Sequence, residues 1–131
     1  MWLWDTDLRR LGFRRKSERY WQCERRFGLS ATDHVSLFSW SEQVIPGQAG
    51  AARFLVEMTE FHVTLLRGLE NLHFYYHEHH DNEWRPAGHT SRAEIRRLGL
   101  DPIVLRAEAD SVAEELVRAL GGTWRPREGE R

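Results

Sequence analysis

Cysteine is nearly absent from this chain: Cys23 stands alone, so no internal disulfide can form and a reducing compartment is indicated. Lysine is scarce too, since Lys16 is the only one among nineteen basic residues. Arginine suits phosphate recognition, but here it also fills plainly structural surface positions, the pattern of a GC-rich coding sequence. Net charge is nearly missing, at −1, which argues against a general attraction to nucleic acid or anionic membrane. No run of about eighteen apolar residues occurs, so no spanning helix is expected. No N-terminal stretch combines basic residues, a long apolar run and a small-residue cleavage site. The expected location is the cytoplasm, with no membrane contact. A Walker loop, Gly-x-Gly-x-x-Gly and Gly-x-Ser-x-Gly are also lacking, which removes support for the large cofactor and hydrolase families that carry them.

What is present fits one domain over residues 1–131, with 127–131 as a solvated tail. At 131 residues with 40% apolar content, such a chain buries roughly two-thirds of its unfolded surface and needs no metal to fold. Charge is uneven: residues 1–30 carry eight Arg or Lys against four acids, and 31–90 carry three against eight.

The organising stretch is residues 61–81. Phe61-His62-Val63-Thr64-Leu65-Leu66 and Leu72-His73-Phe74-Tyr75-Tyr76-His77 both alternate apolar and polar with period two, the mark of paired half-buried strands. Arg67-Gly68-Leu69-Glu70-Asn71 supplies Gly and Asn for the connection. Setting Arg67 opposite Leu72 places Phe61, Val63 and Leu65 on the face of Leu72, Phe74 and Tyr76. Glu60, His62 and Thr64 then gather with His73, Tyr75, His77 and His79. In that register His62 lies across from His77, and Glu60 from His79.

Along the rest of the chain, Met1–Leu11 reads as a short helical or irregular lead ended by Gly12. Strands are expected at Phe13–Lys16, at Tyr20–Phe27 with Trp21, Cys23, Arg25 and Phe27 on one face, and at His34–Glu42. Residues 28–33 read as a loop. Pro46, Gly47 and Gly50 mark a longer loop over 43–52, a candidate rim. Apolar residues shift from even positions in 54–58 to odd ones from Phe61, which predicts a bulge near Thr59-Glu60. Pro86 and Gly88 should stop the ladder after Trp84. Two helices close the domain. The first is capped by Thr90 or Ser91 and ended by Gly99; the second opens at Asp101-Pro102 and buries Leu105, Ala109, Val112, Leu116 and Leu120. In the second helix Glu108, Glu115 and Arg118 should face water, and Thr123–Pro126 should add a short strand or cover an edge.

Leu11-Gly12-Phe13-Arg14-Arg15-Lys16, followed by Tyr20-Trp21, resembles the opening of several small bacterial α+β domains, uncharacterised or immunity-like. In those proteins a leading helix enters an antiparallel sheet through a Leu-Gly-Phe-basic step. The resemblance covers a short part of the chain, includes no catalytic motif, and implies an α+β fold with almost nothing about function.

All seven histidines fall between residues 34 and 89. His62, His73, His77 and His79 share a face with Glu60, and imidazoles converging with a carboxylate are the donor set of zinc or non-haem iron sites. Against that, histidines two apart on a strand sit roughly 7 Å apart at Cα and ordinarily bond water or a neighbouring side chain. His62-Val63-Thr64 also matches the His-x-Thr element of two-histidine phosphoesterases, in which one imidazole is general base, the other general acid, and the hydroxyls hold phosphate. His89-Thr90-Ser91 has the letters of a second copy, but follows Pro86 and Gly88 and opens a helix. His79-His80-Asp81-Asn82 has nuclease-like letters, better explained as turn chemistry. Arg14, Arg15, Lys16, Arg19, Arg25 and Arg26 interleave with Phe13, Tyr20 and Trp21, as in sheets that hold single-stranded nucleic acid.

The expected fold is α+β: one antiparallel sheet of about five strands with two C-terminal helices packed on its apolar face. The leading function is a small, non-catalytic binding or accessory protein, immunity-like or regulatory, that meets another protein through Tyr75 or through Arg14, Arg15 and Arg19. Six tryptophans, a side chain favoured in binding hot spots, support this. No cofactor is expected. The alternatives are a hydrolase or phosphoesterase that uses His62, Thr64, His77 and Glu60, with zinc or another divalent metal on His62, His73, His77 and His79, and nucleic-acid binding through the basic N-terminal strands.

Overall fold

A computed structural model of the chain describes residues 1–23, 34–47 and 50–126, with backbone alone for 34–40. Among these the order is β1 (Trp2–Trp4), α1 (Asp5–Arg10), β2 (Phe13–Ser17), β3 (Tyr20–Cys23), β4 (His34–Pro46), β5 (Ala52–Arg67), β6 (Glu70–Glu78), β7 (Glu83–His89), α2 (Arg92–Arg97), α3 (Pro102–Ala119) and β8 (Thr123–Trp124). The fold is α+β. Its mixed, mostly antiparallel sheet runs β2-β3-β4-β5-β6-β7-β8, with β8 parallel to β7 and β1 alongside β5.

The sheet is larger than the five strands expected. The lead is a strand before it is a helix: Leu3 is buried opposite Val56, while Trp2 and Trp4 face outward. The expected loop at 43–52 starts later than expected, because β4 runs to Pro46 and β5 begins at Ala52. Nor does the ladder stop at Pro86. Among the described residues β8 pairs only with Glu83 and Trp84, so beyond Trp84 β7 is an edge there, where a proline's missing N–H costs no ladder bond on the open side. Arg25, Arg26, Phe27, the 28–33 loop and the 127–131 tail lie outside the described residues.

The expected bulge is present. Phe38 pairs with Glu60 and Ser39 with Met58, which leaves Thr59 without a partner. That extra residue carries the buried set from Val56 and Met58 to Phe61, Val63 and Leu65, so both halves of a sixteen-residue strand keep their apolar side on the core.

The β5–β6 hairpin has the expected faces but a register shifted by two residues. Arg67 pairs with Glu70 and Leu65 with Leu72, which places His62 opposite Tyr75 and Glu60 opposite His77. The connection is only Gly68-Leu69, with Gly68 at φ 62°, the arrangement of a two-residue hairpin that needs positive φ at its first central position. Asn71 belongs to the strand.

Among the described residues the helices cover one side only. Phe61, Leu72, Phe74 and Tyr76 lie beneath α3, whose Leu105, Ala109, Val112, Ala113, Leu116 and Val117 are buried. Glu108 departs from expectation: it is half-buried and paired with Arg67, whereas Glu115 and Arg118 do face water. The caps follow the sequence signals, with the Ser91 Oγ accepting the Glu94 N–H (3.2 Å) and the Asp101 carboxylate accepting the Ile103 N–H (2.9 Å). At the far end of α3 the Gly121 N–H bonds to Arg118 O (3.0 Å) and the Gly122 N–H to Val117 O (2.9 Å), a Schellman closure. α1 covers the other end of the core through Leu8 and Leu11. The histidine-bearing side of the hairpin faces away from all three helices.

Candidate functional site on the outer sheet face

Period-two alternation puts Glu60, His62, Thr64, His73, Tyr75 and His77 on this outer face. The two-residue change in register decides which of them meet. One oxygen of Glu60 lies 2.6 Å from His62 Nε2, and the other lies 3.0 Å from His77 Nε2. A single carboxylate, 18% exposed, therefore bridges two imidazoles on adjacent strands.

Tyr75 completes the cluster. Its ring centroid is 5.2 Å from that of His62, with 30° between the planes. On its other side the phenol lies across Gly88, its register partner on β7, where any Cβ would overlap Cζ, Cε2 and the hydroxyl oxygen. Gly88 thus serves as a notch for the ring. An isolated glycine within a strand signals this kind of close approach, but its letter does not say which side chain fills the gap. Tyr75 stays 37% exposed.

The other sequence-derived candidates separate. Thr64 is almost fully buried, with its hydroxyl 3.4 Å from His73 Nδ1. His73 itself is exposed, and its backbone N–H bonds to Thr90 Oγ1 at 2.9 Å. His79 sits at the end of the β6–β7 turn, beside the His80 ring and away from Glu60. Among the described residues no three His, Cys, Asp or Glu side chains are grouped to hold a metal ion. The Nε2 atoms of His62 and His77 each lie against one oxygen of Glu60. His89 stacks on Phe74, on the helix side of the sheet, so the two His-x-Thr elements lie on opposite faces and cannot share a phosphate. The arginines separate as well. Arg14 is exposed on the outer face and Arg19 lies at the β2–β3 turn. Arg15 pairs with Glu42, with its guanidinium 5.5 Å from the Phe54 ring centroid.

Turn chemistry accounts for Asp81-Asn82. Asn82 has φ 61°, and the Asp81 carboxylate accepts the Glu83 N–H (3.3 Å) and an Arg85 N–H (3.0 Å). Desolvation pushes the Asp81 carboxyl up, but the Glu83 N–H bond and the Arg85 charge outweigh it and hold the group below its ordinary value. A carboxyl depressed in the folded state contributes stability above its unfolded pKa and loses it as pH falls through the folded value. The difference in urea midpoint between the native protein and Asp81→Asn is therefore expected to be present at neutral pH and to close on acidification. A difference that persists in strong acid would assign the effect to turn geometry alone.

No helix among the described residues is long and apolar enough to cross a membrane. The chain matches no protein-family model, no curated protein and no solved structure.

Proposed function

We propose that this chain is a small non-catalytic binding protein that docks a partner protein on its outer sheet face, in a regulatory or immunity-like role in the bacterial cytoplasm. The observation that carries this reading is the held phenol of Tyr75, set between the Gly88 notch and His62. An exposed aromatic already fixed in one place loses little freedom on binding, and tyrosine is a side chain on which binding energy concentrates. Around it, Glu60, His62 and His77 form a satisfied polar patch whose groups already have partners before anything docks.

Affinity capture from the native host, followed by binding measurements with the recovered protein, tests this. Tyr75→Ala is expected to cost about 2 kcal/mol of binding or more, with the unfolding midpoint nearly unchanged. Gly88→Val should weaken the same complex by displacing the ring. A partner that binds Tyr75→Ala as tightly as the native protein would sink the proposal. Binding that instead falls steeply with salt and depends on Arg14, Arg15 and Arg19 would favour nucleic acid.

One observation favours a second reading, general acid–base hydrolysis. Glu60 fixes both imidazoles, as an orienting carboxylate does for a catalytic base. That reading predicts a turnover which the double variant His62→Ala/His77→Ala abolishes while remaining folded. The binding reading predicts no turnover to lose.

A further inference from the structure

Trp2 is the most exposed tryptophan among the described residues, at 42%, and it stands on the outer face. β4 pairs with β5 from Ala52 to Thr64, so β1 takes the other side of β5 and continues the line of β6 past the bulge. Trp2 therefore shares a row with His77 and Tyr75. Glu57 and His62, the β5 residues opposite Trp2 and Tyr75, are separated by roughly 16 Å at ~3.3 Å per residue. That span fits within one standard interface of ~800 Å² per partner.

The neighbouring tryptophan shows what such a ring accepts. Trp4 lies on the same face of β1, and the Arg53 guanidinium stands 4.2 Å from its ring centroid, a cation–π contact made within the chain. Trp2 has no such cation over its ring among the described residues. Opposite it is Glu57, half-buried, whose carboxylate makes no ion pair among the described residues. Residues directly opposite on adjacent strands have Cβ atoms ~4.5–5.5 Å apart, so the indole and the carboxylate border one another. A ring face and a carboxylate both attract positive charge and disfavour an anion.

We infer that Trp2 and Glu57 form a cation subsite of the docking face, which takes an arginine side chain of the partner protein. The guanidinium plane lies over the indole and its N–H groups donate to the Glu57 carboxylate, two contacts that arginine makes at once and lysine makes less well. The inference rests on the outer face being a docking surface, and it gives the partner a chemistry: a basic side chain set roughly 16 Å from the group that meets Tyr75.

The test is titration of the isotope-labelled full chain with the peptide acetyl-Gly-Gly-Arg-Gly-Gly-amide and with its citrulline counterpart, which keeps the shape and lacks the charge. Saturable shifts of the Trp2 indole N–H and the Glu57 amide are expected with the arginine peptide, while the Trp4 indole, already covered by Arg53, stays still. Glu57→Gln keeps the side chain's shape and should weaken binding about threefold, the scale of an exposed ion pair. Trp2→Ala should abolish the shift at Glu57. No saturable shift at Trp2, an equal response to the citrulline peptide, or a response untouched by Glu57→Gln would each overturn the inference. Tyr75→Ala should leave the peptide response unchanged, which separates the two failures. A partner that ignores Tyr75→Ala while the peptide still binds at Trp2 counts against the docking surface; a peptide that does not bind counts against the subsite.

Discussion

Trp84→Ala is expected to destabilise the protein by about 3–5 kcal/mol, the cost of emptying a large aromatic site in a packed core. Trp84 is fully buried on β7, with its ring centroid 5.2 Å from that of Phe61 on β5. The glycine closure of α3 packs against the same indole, since a Cβ at Gly122 would come within 3.3 Å of its Cδ1. One side chain thus joins a sheet edge, the centre of the sheet and the end of the long helix, and truncating it leaves space that backbone on three sides cannot readily fill. The indole Nε1 is buried without a hydrogen-bond partner among the described residues, so Trp84→Phe removes an unsatisfied donor along with part of the ring. It should therefore cost much less than alanine. Urea unfolding decides, read as a fall in midpoint at unchanged slope. The comparison that matters is with Tyr75→Ala, nearby on β6 but on the other face, where the cost should stay below about 1 kcal/mol. Equal losses at the two positions would mean that the helices do not cover the side assigned to them.

Which residues share a face was legible in the sequence; which residues stand opposite one another was not. Alternation from Phe61 to Tyr76 separates core from outer side, but a slip of two residues keeps every side chain on its own face. Only the connection sets the pairing, and Gly68-Leu69 closes the hairpin one step tighter than a Gly-to-Asn loop would. That step matters for the site, since it moves Glu60 from His79 to His77 and sets Tyr75 beside His62. β7 was hidden for a different reason. Pro86 and Gly88 are strand breakers by composition, yet one lies on an open edge and the other gives way to an aromatic ring from the next strand. Both facts belong to tertiary structure. A cavity beside α3 was likewise out of reach, because His89 and Arg92 meet the first half of α3 only after the helices dock. The bulge at Thr59 was readable because it leaves a local trace, a change in the phase of the apolar residues.

Asp5 shows how a local rule can identify a residue and still miss its main task. An acid in the first turn of a helix is expected to complement the dipole there, worth about 0.3–1 kcal/mol. In the folded chain Asp5 is only 6% exposed, and its Oδ1 accepts the backbone N–H of Phe54 at 3.1 Å. Its other oxygen lies 3.5 Å from Arg9 Nε. The carboxylate therefore ties the start of α1 to the beginning of β5, and it satisfies a strand N–H that would otherwise be left without that acceptor. Asp5→Ala is expected to cost about 1–3 kcal/mol, the penalty for orphaning a buried donor. Asp5→Asn keeps an oxygen that can accept from Phe54 and loses the charge, so it should cost only a fraction of that, mainly the contact with Arg9 and the dipole. Urea midpoints for the pair, with hydrogen exchange at the Phe54 amide, separate the two contributions. If the tether dominates, the Phe54 amide loses protection in the alanine variant and keeps most of it in the asparagine variant. Equal loss of stability in both, with Phe54 still protected, would return Asp5 to the plain role of a helix-terminal charge.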